Sequence, residues 1–282
     1  MIMAGWLGIA AAAAAEQAAS GGHLLYSRLT EGTWQIWKTD VSTHERQQLT
    51  FTPGDKRYPA KAGEDQISYC TSNQACVRAR LGETAGEPLL QDLWPIRDVA
   101  WSPDGAHMAF SRFRTDLQDS ANIWIAETSG ANPRMLTHEV GVQQQPAWSP
   151  DGRWLAYSGG HGYQTYEIYV VSVDGEAPRQ LTKNQAHEFL PAWSPDGQQI
   201  AFSSDRSGNY DIWVMNADGS APRQLTTDPA LDTRPTWSPD GHSIAFATNR
   251  SGRLELWVMQ ADGAGQQLLE TSDEGACDPA WR

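Results

Sequence analysis

Two dipeptides, His138-Glu139 and His187-Glu188, occupy nearly equivalent places in the chain, and each sets an imidazole beside a carboxylate as a metal site or an acid–base pair would. Neither has the His-x-x-x-His spacing that puts two imidazoles on one face of a zinc-binding helix, so both read as loop polars. Asp104, Asp151, Asp196 and Asp240 each stand inside a Ser-Pro-Asp-Gly run. Four copies of one turn cannot all be one active site, and these carboxylates are expected to hydrogen-bond their own turns. Asp273 and Glu274 fit Ca²⁺ no better than they fit an ordinary loop of an acidic protein. Arg206 and Arg250 sit at equivalent turns and suit an ion pair as readily as a ligand. The chain has no Gly-x-Ser-x-Gly elbow and no Gly-rich phosphate loop. No catalytic residue, metal or cofactor is expected.

The elements that position these residues are legible from a repeat. Trp101, Trp148, Trp193, Trp237 and Trp281 follow one another at steps of 47, 45, 44 and 44 residues. The first four open Trp-Ser-Pro-Asp-Gly. A period in the forties marks a repeat architecture whose units bury their apolar faces against one another. Within the unit from Pro191, strands are expected at Pro191–Trp193, Ile200–Ser203, Ile212–Met215 and Arg223–Thr226, separated by Gly-containing turns. Four strands at this period form a propeller blade. The second-strand motif occurs six times, from Leu24, Ile67, Met108, Leu155, Ile200 and Ile244. The first copy lacks a preceding Pro-x-Trp strand, whereas Pro279-Ala280-Trp281 has no blade after it. The expected fold is therefore an all-β, six-bladed β-propeller with four-stranded blades, closed by a C-terminal inner strand completing blade 1. Closure would remove the open sheet edge.

Residues 21–282 are read as this one domain, and 1–20 as a signal-like or anchor segment. Ile2 to Ala15 are apolar and Ala-rich, too short to span a bilayer, and Ala13-Ala14-Ala15 resembles a cleavage site. Export to the periplasm is expected, although no Lys or Arg precedes the apolar stretch. Cys70 and Cys76 flank a hairpin turn, and a bridge or two free thiols both fit the spacing. A net charge of −13 argues against a nucleic-acid partner. Nine of the thirteen Trp occupy repeat positions and read as packing.

Pro-Ala-Trp-Ser-Pro-Asp-Gly, with Ile-Ala-Phe-Ser, Ile-Trp-Val-Met, Ala-Asp-Gly and Gln-Leu-Thr at fixed offsets, resembles the TolB family's β-propeller repeats over residues 23–282. The resemblance implies a stand-alone TolB-like propeller without the α/β domain that precedes it in TolB. It also implies an envelope lipoprotein as the kind of partner. Similar repeats occur in peptidase gating propellers and in a metal-dependent oligogalacturonate lyase.

The links into each inner strand vary while the Ser-Pro-Asp-Gly turns repeat, and variable loops on a rigid scaffold carry recognition. They bring Arg57, Tyr58, Trp94, Arg97, His138, Gln145, His187, Glu188, Asp232, Arg234 and Asp278 toward one mouth. Tyr58, Trp94 and the arginines are the expected anchors. The reading is a monomeric, non-catalytic interaction module that binds a protein partner on this face. The alternatives are a metal-dependent lyase or acidic-saccharide binder using the central funnel, and the sensory propeller of a membrane regulator.

Overall fold

Each Ser-Pro-Asp-Gly turn is closed by its own side chains. In the first copy Ser102 Oγ donates to Asp104 Oδ1 at 2.5 Å, and Asp104 Oδ1 also accepts the Ala106 N–H at 3.0 Å. Ser102 Oγ accepts the His107 N–H at 2.9 Å, and Gly105 supplies the left-handed φ of 70° that completes the turn. The same bonds recur around Asp151, Asp196 and Asp240. These carboxylates serve the turn, as their repetition implies.

The computed structural model describes residues 22–72, 75–83, 86–114, 120–160, 165–271 and 274–281. The N-terminal segment 1–20 and Asp273 lie outside these residues. The strands fall in groups that follow the repeat. The first group is β1 (His23–Thr30), β2 (Thr33–Asp40) and β3 (Arg46–Gln48). The second is β4 (Lys56–Lys61), β5 (Gln66–Thr71), β6 (Cys76–Arg80) and β7 (Glu87–Pro88). Next come β8 (Ile96–Trp101), β9 (His107–Phe113), β10 (Ala121–Glu127) and β11 (Arg134–Met135). They are followed by β12 (Val142–Trp148), β13 (Trp154–Gly160), β14 (Glu167–Ser172) and β15 (Arg179–Gln180). Then come β16 (Glu188–Trp193), β17 (Gln199–Ser204), β18 (Asp211–Asn216) and β19 (Arg223–Gln224). The last are β20 (Asp232–Trp237), β21 (Ser243–Thr248), β22 (Glu255–Gln260), β23 (Gln267–Glu270) and β24 (Ala276–Trp281).

Four sheets have four strands each, ordered β24-β1-β2-β3, β4-β5-β6-β7, β16-β17-β18-β19 and β20-β21-β22-β23. The groups β8–β11 and β12–β15 share one eight-stranded sheet instead of standing apart, the sheet continuing between them through a parallel pairing of Ala121 with Val142. The inner strands β4, β8, β12, β16, β20 and β24 each neighbour the next, and β24 neighbours β4. Among the described residues no helix is long and apolar enough to cross a membrane.

Second and third strands are apolar on both faces because each sheet is covered by another on both sides. Tyr26, Phe110, Tyr157, Phe202 and Phe246 hold equivalent, fully buried positions. Ala156, Ile168 and Val170 pack across a sheet interface against Ile200, Phe202 and Met215. The inner-strand tryptophans tie neighbours together: Trp101 Nε1 donates to Ser68 Oγ (2.8 Å), Trp148 to the Ala100 carbonyl (3.0 Å), Trp237 to Ala192 (3.2 Å) and Trp281 to Thr236 (3.2 Å). The third-strand tryptophans carry arginines on their faces, Arg28 on Trp37, Arg112 on Trp124, Arg206 on Trp213 and Arg250 on Trp257, at 4.2–4.9 Å. Cys70 and Cys76 are register partners in the β5–β6 hairpin and form a disulfide.

Candidate functional site at the central mouth

Every inner strand breaks its pairing at one place. The register slips between Arg57 and Ala60, Arg97 and Ala100, Gln144 and Ala147, Phe189 and Ala192, and Thr233 and Thr236, and on the β1–β24 pair between Leu25 and Ser27. At each bulge one non-glycine residue is left-handed: Tyr58, Asp98, Gln145, Leu190, Arg234 and Asp278, with φ between 55° and 60°. All but Asp98 precede a proline. Such conformations cost about 1–3 kcal/mol each and persist where the surroundings over-determine them. A bulge re-aims a side chain, and these six line one central pocket of about 210 Å³.

The surroundings that hold the bulges are reciprocal, because one inner strand's N–H is received by its neighbour's side chains. The Tyr58 N–H donates to Asp278 Oδ2 (3.4 Å), that of Gln145 to Asp98 Oδ2 (3.3 Å) and Ser111 Oγ (3.2 Å), and that of Leu190 to Gln145 Oε1 (3.1 Å) and Ser158 Oγ (3.2 Å). The Arg234 N–H donates to Ser203 Oγ at 3.1 Å. Ser111, Ser158 and Ser203 each follow a buried second-strand aromatic, so the repeat supplies the acceptors.

Asp278 is the most enclosed of the six. Its side chain is 2% exposed and accepts Arg57 Nε at 2.6 Å and Arg234 Nη1 at 2.8 Å. Burial alone would raise its pKa, but the two guanidiniums outweigh burial and hold it at about 2. Arg57 lies over Trp34 and Tyr58, and Arg234 over Tyr58. Asp98 differs: its Oδ2 takes the Ser111 hydroxyl at 3.1 Å, and burial pushes its carboxyl above the usual range against the pull of that bond and of Arg234 and Arg97.

Eight of the eleven residues expected at the mouth (Arg57, Tyr58, Arg97, Gln145, Glu188, Asp232, Arg234 and Asp278) lie in inner strands, not in the links before them. The bulge disrupts the alternation by which a strand is read. Tyr58, Gln145, Arg234 and Asp278 line the pocket, with Arg57 beside it. Arg97 lies over Phe113. Glu188 and Asp232 are buried against Arg206 (2.9 Å) and Arg250 (3.0 Å), the structural form of those equivalent arginines. Trp94 and His138 line a separate cavity with Arg112 and Trp124. The His187 N–H donates to Asp205 Oδ1 at 2.7 Å, and its ring is parallel to Phe189 at 5.9 Å. Glu274 accepts the Gly32 N–H at 3.1 Å. Asp98 and Leu190 were not anticipated; their place immediately before the Val99 or Pro191 slot of the inner strand was the available signal. Among the described residues no three His, Cys, Asp or Glu side chains are grouped to hold a metal.

A family model described as the TolB beta propeller domain matches residues 161–282. The Tol-Pal system protein TolB of Desulfosudis oleivorans is 44% identical over 39 residues, which is 14% of this chain and 9% of that protein. The chain likewise spans only 12% of a second curated relative. In structure it is similar to a protein assigned as TolB in Agrobacterium tumefaciens, with 23% identity, 89% of each chain covered and a TM-score of 0.76. TolB from Acinetobacter baumannii aligns over 92% of this chain and 66% of its own, with 21% identity and a TM-score of 0.79. At these identities the structural matches speak to the fold, an all-β propeller with four-stranded blades. Residues 161–282 thus match the TolB beta propeller domain, and the repeat and the structural matches extend a TolB-like propeller fold over the rest of the described chain.

Proposed function

We propose that the chain is a six-bladed interaction module of the cell envelope that docks a protein partner over the central mouth. The observation that carries this reading is chemical variety on a uniform frame. Six equivalent bulges present Tyr58, Asp98, Gln145, Leu190, Arg234 and Asp278, whereas the turns around Asp104, Asp151, Asp196 and Asp240 repeat unchanged. Binding residues on a frame already held by cross-strand hydrogen bonds need little ordering on association. Counting the eight-stranded sheet as two blades, and β24 as the inner strand of the first, makes the ring six with its two ends latched. Arg57 and Arg234 position the mouth through Asp278, while Tyr58, Gln145 and Leu190 meet the partner. Arg97, Trp94, His138 and His187 do not line that pocket. The Cys70–Cys76 bond supports an oxidising compartment, in keeping with export to the periplasm. Kinship to a Tol-Pal system protein supports a protein partner, an envelope lipoprotein among the candidates.

Replacing Arg57 or Arg234 would unseat Asp278, so the informative variant is Leu190→Glu, because the leucine side chain is apolar and only its backbone N–H bonds at the mouth. Immobilised protein is exposed to a solubilised envelope extract beside this variant, with thermal melts as the folding control. A protein retained by the original chain and lost by an equally stable Leu190→Glu supports docking at the mouth. Equal retention by both removes the mouth from the reading, and an empty eluate from both defeats the reading itself.

A further inference from the structure

On the face opposite the mouth, one interface departs from the repeat twice. The residue two places after the turn glycine is His107, Gln199 or Ser243 in three copies but Trp154 in the fourth. Trp193, on the facing sheet, is the inner-strand tryptophan whose buried Nε1 has no partner among the described residues, although Trp101, Trp148, Trp237 and Trp281 all donate across their interfaces. Both departures border the same cleft of about 600 Å³ between the β12–β15 and β16–β19 strands. Where the four other inner-strand tryptophans repeat one packing bond, two departures at one cleft call for a cause outside the repeat.

The polar lining has acceptors and donors together. Asp151 and Asp196 use Oδ1 to close their turns, and Asp218 Oδ1 accepts the Ser220 N–H at 2.8 Å. Those bonds, led by the serine hydroxyls, hold all three carboxyls below their usual range, so they are ionised acceptors. Arg179 reaches the Asp218 carbonyl with one nitrogen at 3.2 Å and has further N–H groups beyond that bond. Both tryptophans are half-buried and so keep part of their apolar surface open. A small cation would answer the carboxylates but not Arg179, and an anion the reverse. A ligand with an apolar face and a hydroxyl-bearing edge answers both, and the volume suits one to three pyranose rings.

We infer that this cleft binds a neutral saccharide, with the apolar face of a sugar ring against Trp154 and Trp193 and its hydroxyls on Asp151, Asp196 and Arg179. The inference is independent of the mouth. The whole chain is titrated with chitotriose, cellotriose and maltotriose by calorimetry and saturation-transfer NMR, beside Trp154→Ser. That substitution installs the residue found at the equivalent position 243, and a thermal melt controls for folding. At least one of the three sugars should bind, and Trp154→Ser should weaken it about tenfold or more. No binding of any of them at about 10 mM would overturn the inference. So would a saccharide whose affinity Trp154→Ser leaves unchanged, or uptake of tetramethylammonium in place of every sugar. Arg179→Lys, which keeps the charge but loses the planar fork, should lower affinity without moving the melt; a melt lowered with affinity intact would also count against it.

Discussion

Asp278 joins three inner strands, and replacing it should loosen the mouth where β24 meets β4 and β20. The carboxylate sits on β24, Arg57 on β4 and Arg234 on β20. Asp278→Asn retains the shape and removes the charge, leaving two guanidiniums facing each other with side chains only 25% and 24% exposed. Breaking a buried ion pair from one side costs about 3–5 kcal/mol, chiefly through the charge left unpaired. The pH dependence provides an independent measure. Asp278 falls from 3.8 in the unfolded chain to about 2, worth about 2.5 kcal/mol at 1.36 kcal/mol per pH unit. Because the folded value is the lower one, this stability is complete above the unfolded pKa and is lost as pH falls from about 4 through 2. Urea unfolding followed by Trp fluorescence, for both proteins at several pH values, subtracts the other carboxylates. The gap should be about 3–5 kcal/mol near neutrality and narrow by about 2 kcal/mol between pH 5 and 2. A neutral-pH gap under about 1 kcal/mol, or one that stays constant across that range, would refute the keystone role.

Two further outcomes follow from the packing. Reducing the Cys70–Cys76 bond, or making the Cys70→Ser, Cys76→Ser double variant, should cost about 2 kcal/mol from the loop-closure entropy of so short a ring; differential scanning calorimetry should show a melt lowered by about 4–8 °C. Trp237→Phe and Trp193→Phe remove similar volumes, but only the first removes an indole hydrogen bond. Chemical denaturation should therefore find Trp237→Phe worse by about 1 kcal/mol, and equal losses would show that the bond to Ala192 contributes nothing.

Local chemistry that the chain repeats is legible in the order of its residues. Ser-Pro-Asp-Gly implies a self-closing turn because the proline, the carboxylate and the glycine are all contiguous, and the bonds of Asp104 and its counterparts are those expected. Apolar triplets such as Ile200-Ala201-Phe202 identify strands covered on both faces. Trp101, Trp148, Trp237 and Trp281 read as packing because they recur at fixed offsets, and each bonds across an interface. Arg206 and Arg250 left two readings open, since their partners Glu188 and Asp232 stand 18 residues upstream in another strand. Asp98 and Leu190 passed unnoticed beside more conspicuous neighbours, because nothing in their types signals a left-handed bulge.

The repeat, its four-stranded unit and the turns between strands follow from the order of residues alone, for the turns depend on contacts within a few residues. Which side chains meet at the centre was decided by the tertiary structure alone. Asp278 reaches Arg57 across 221 residues of chain, and the Gln145 N–H reaches Asp98 across 47, so neither bond exists until the strands have taken their places. The left-handed φ of Tyr58, Gln145, Leu190 and Arg234 is costly in an isolated strand and is sustained by an acceptor on a neighbouring strand. Their direction into the pocket is therefore a property of the assembled inner strands.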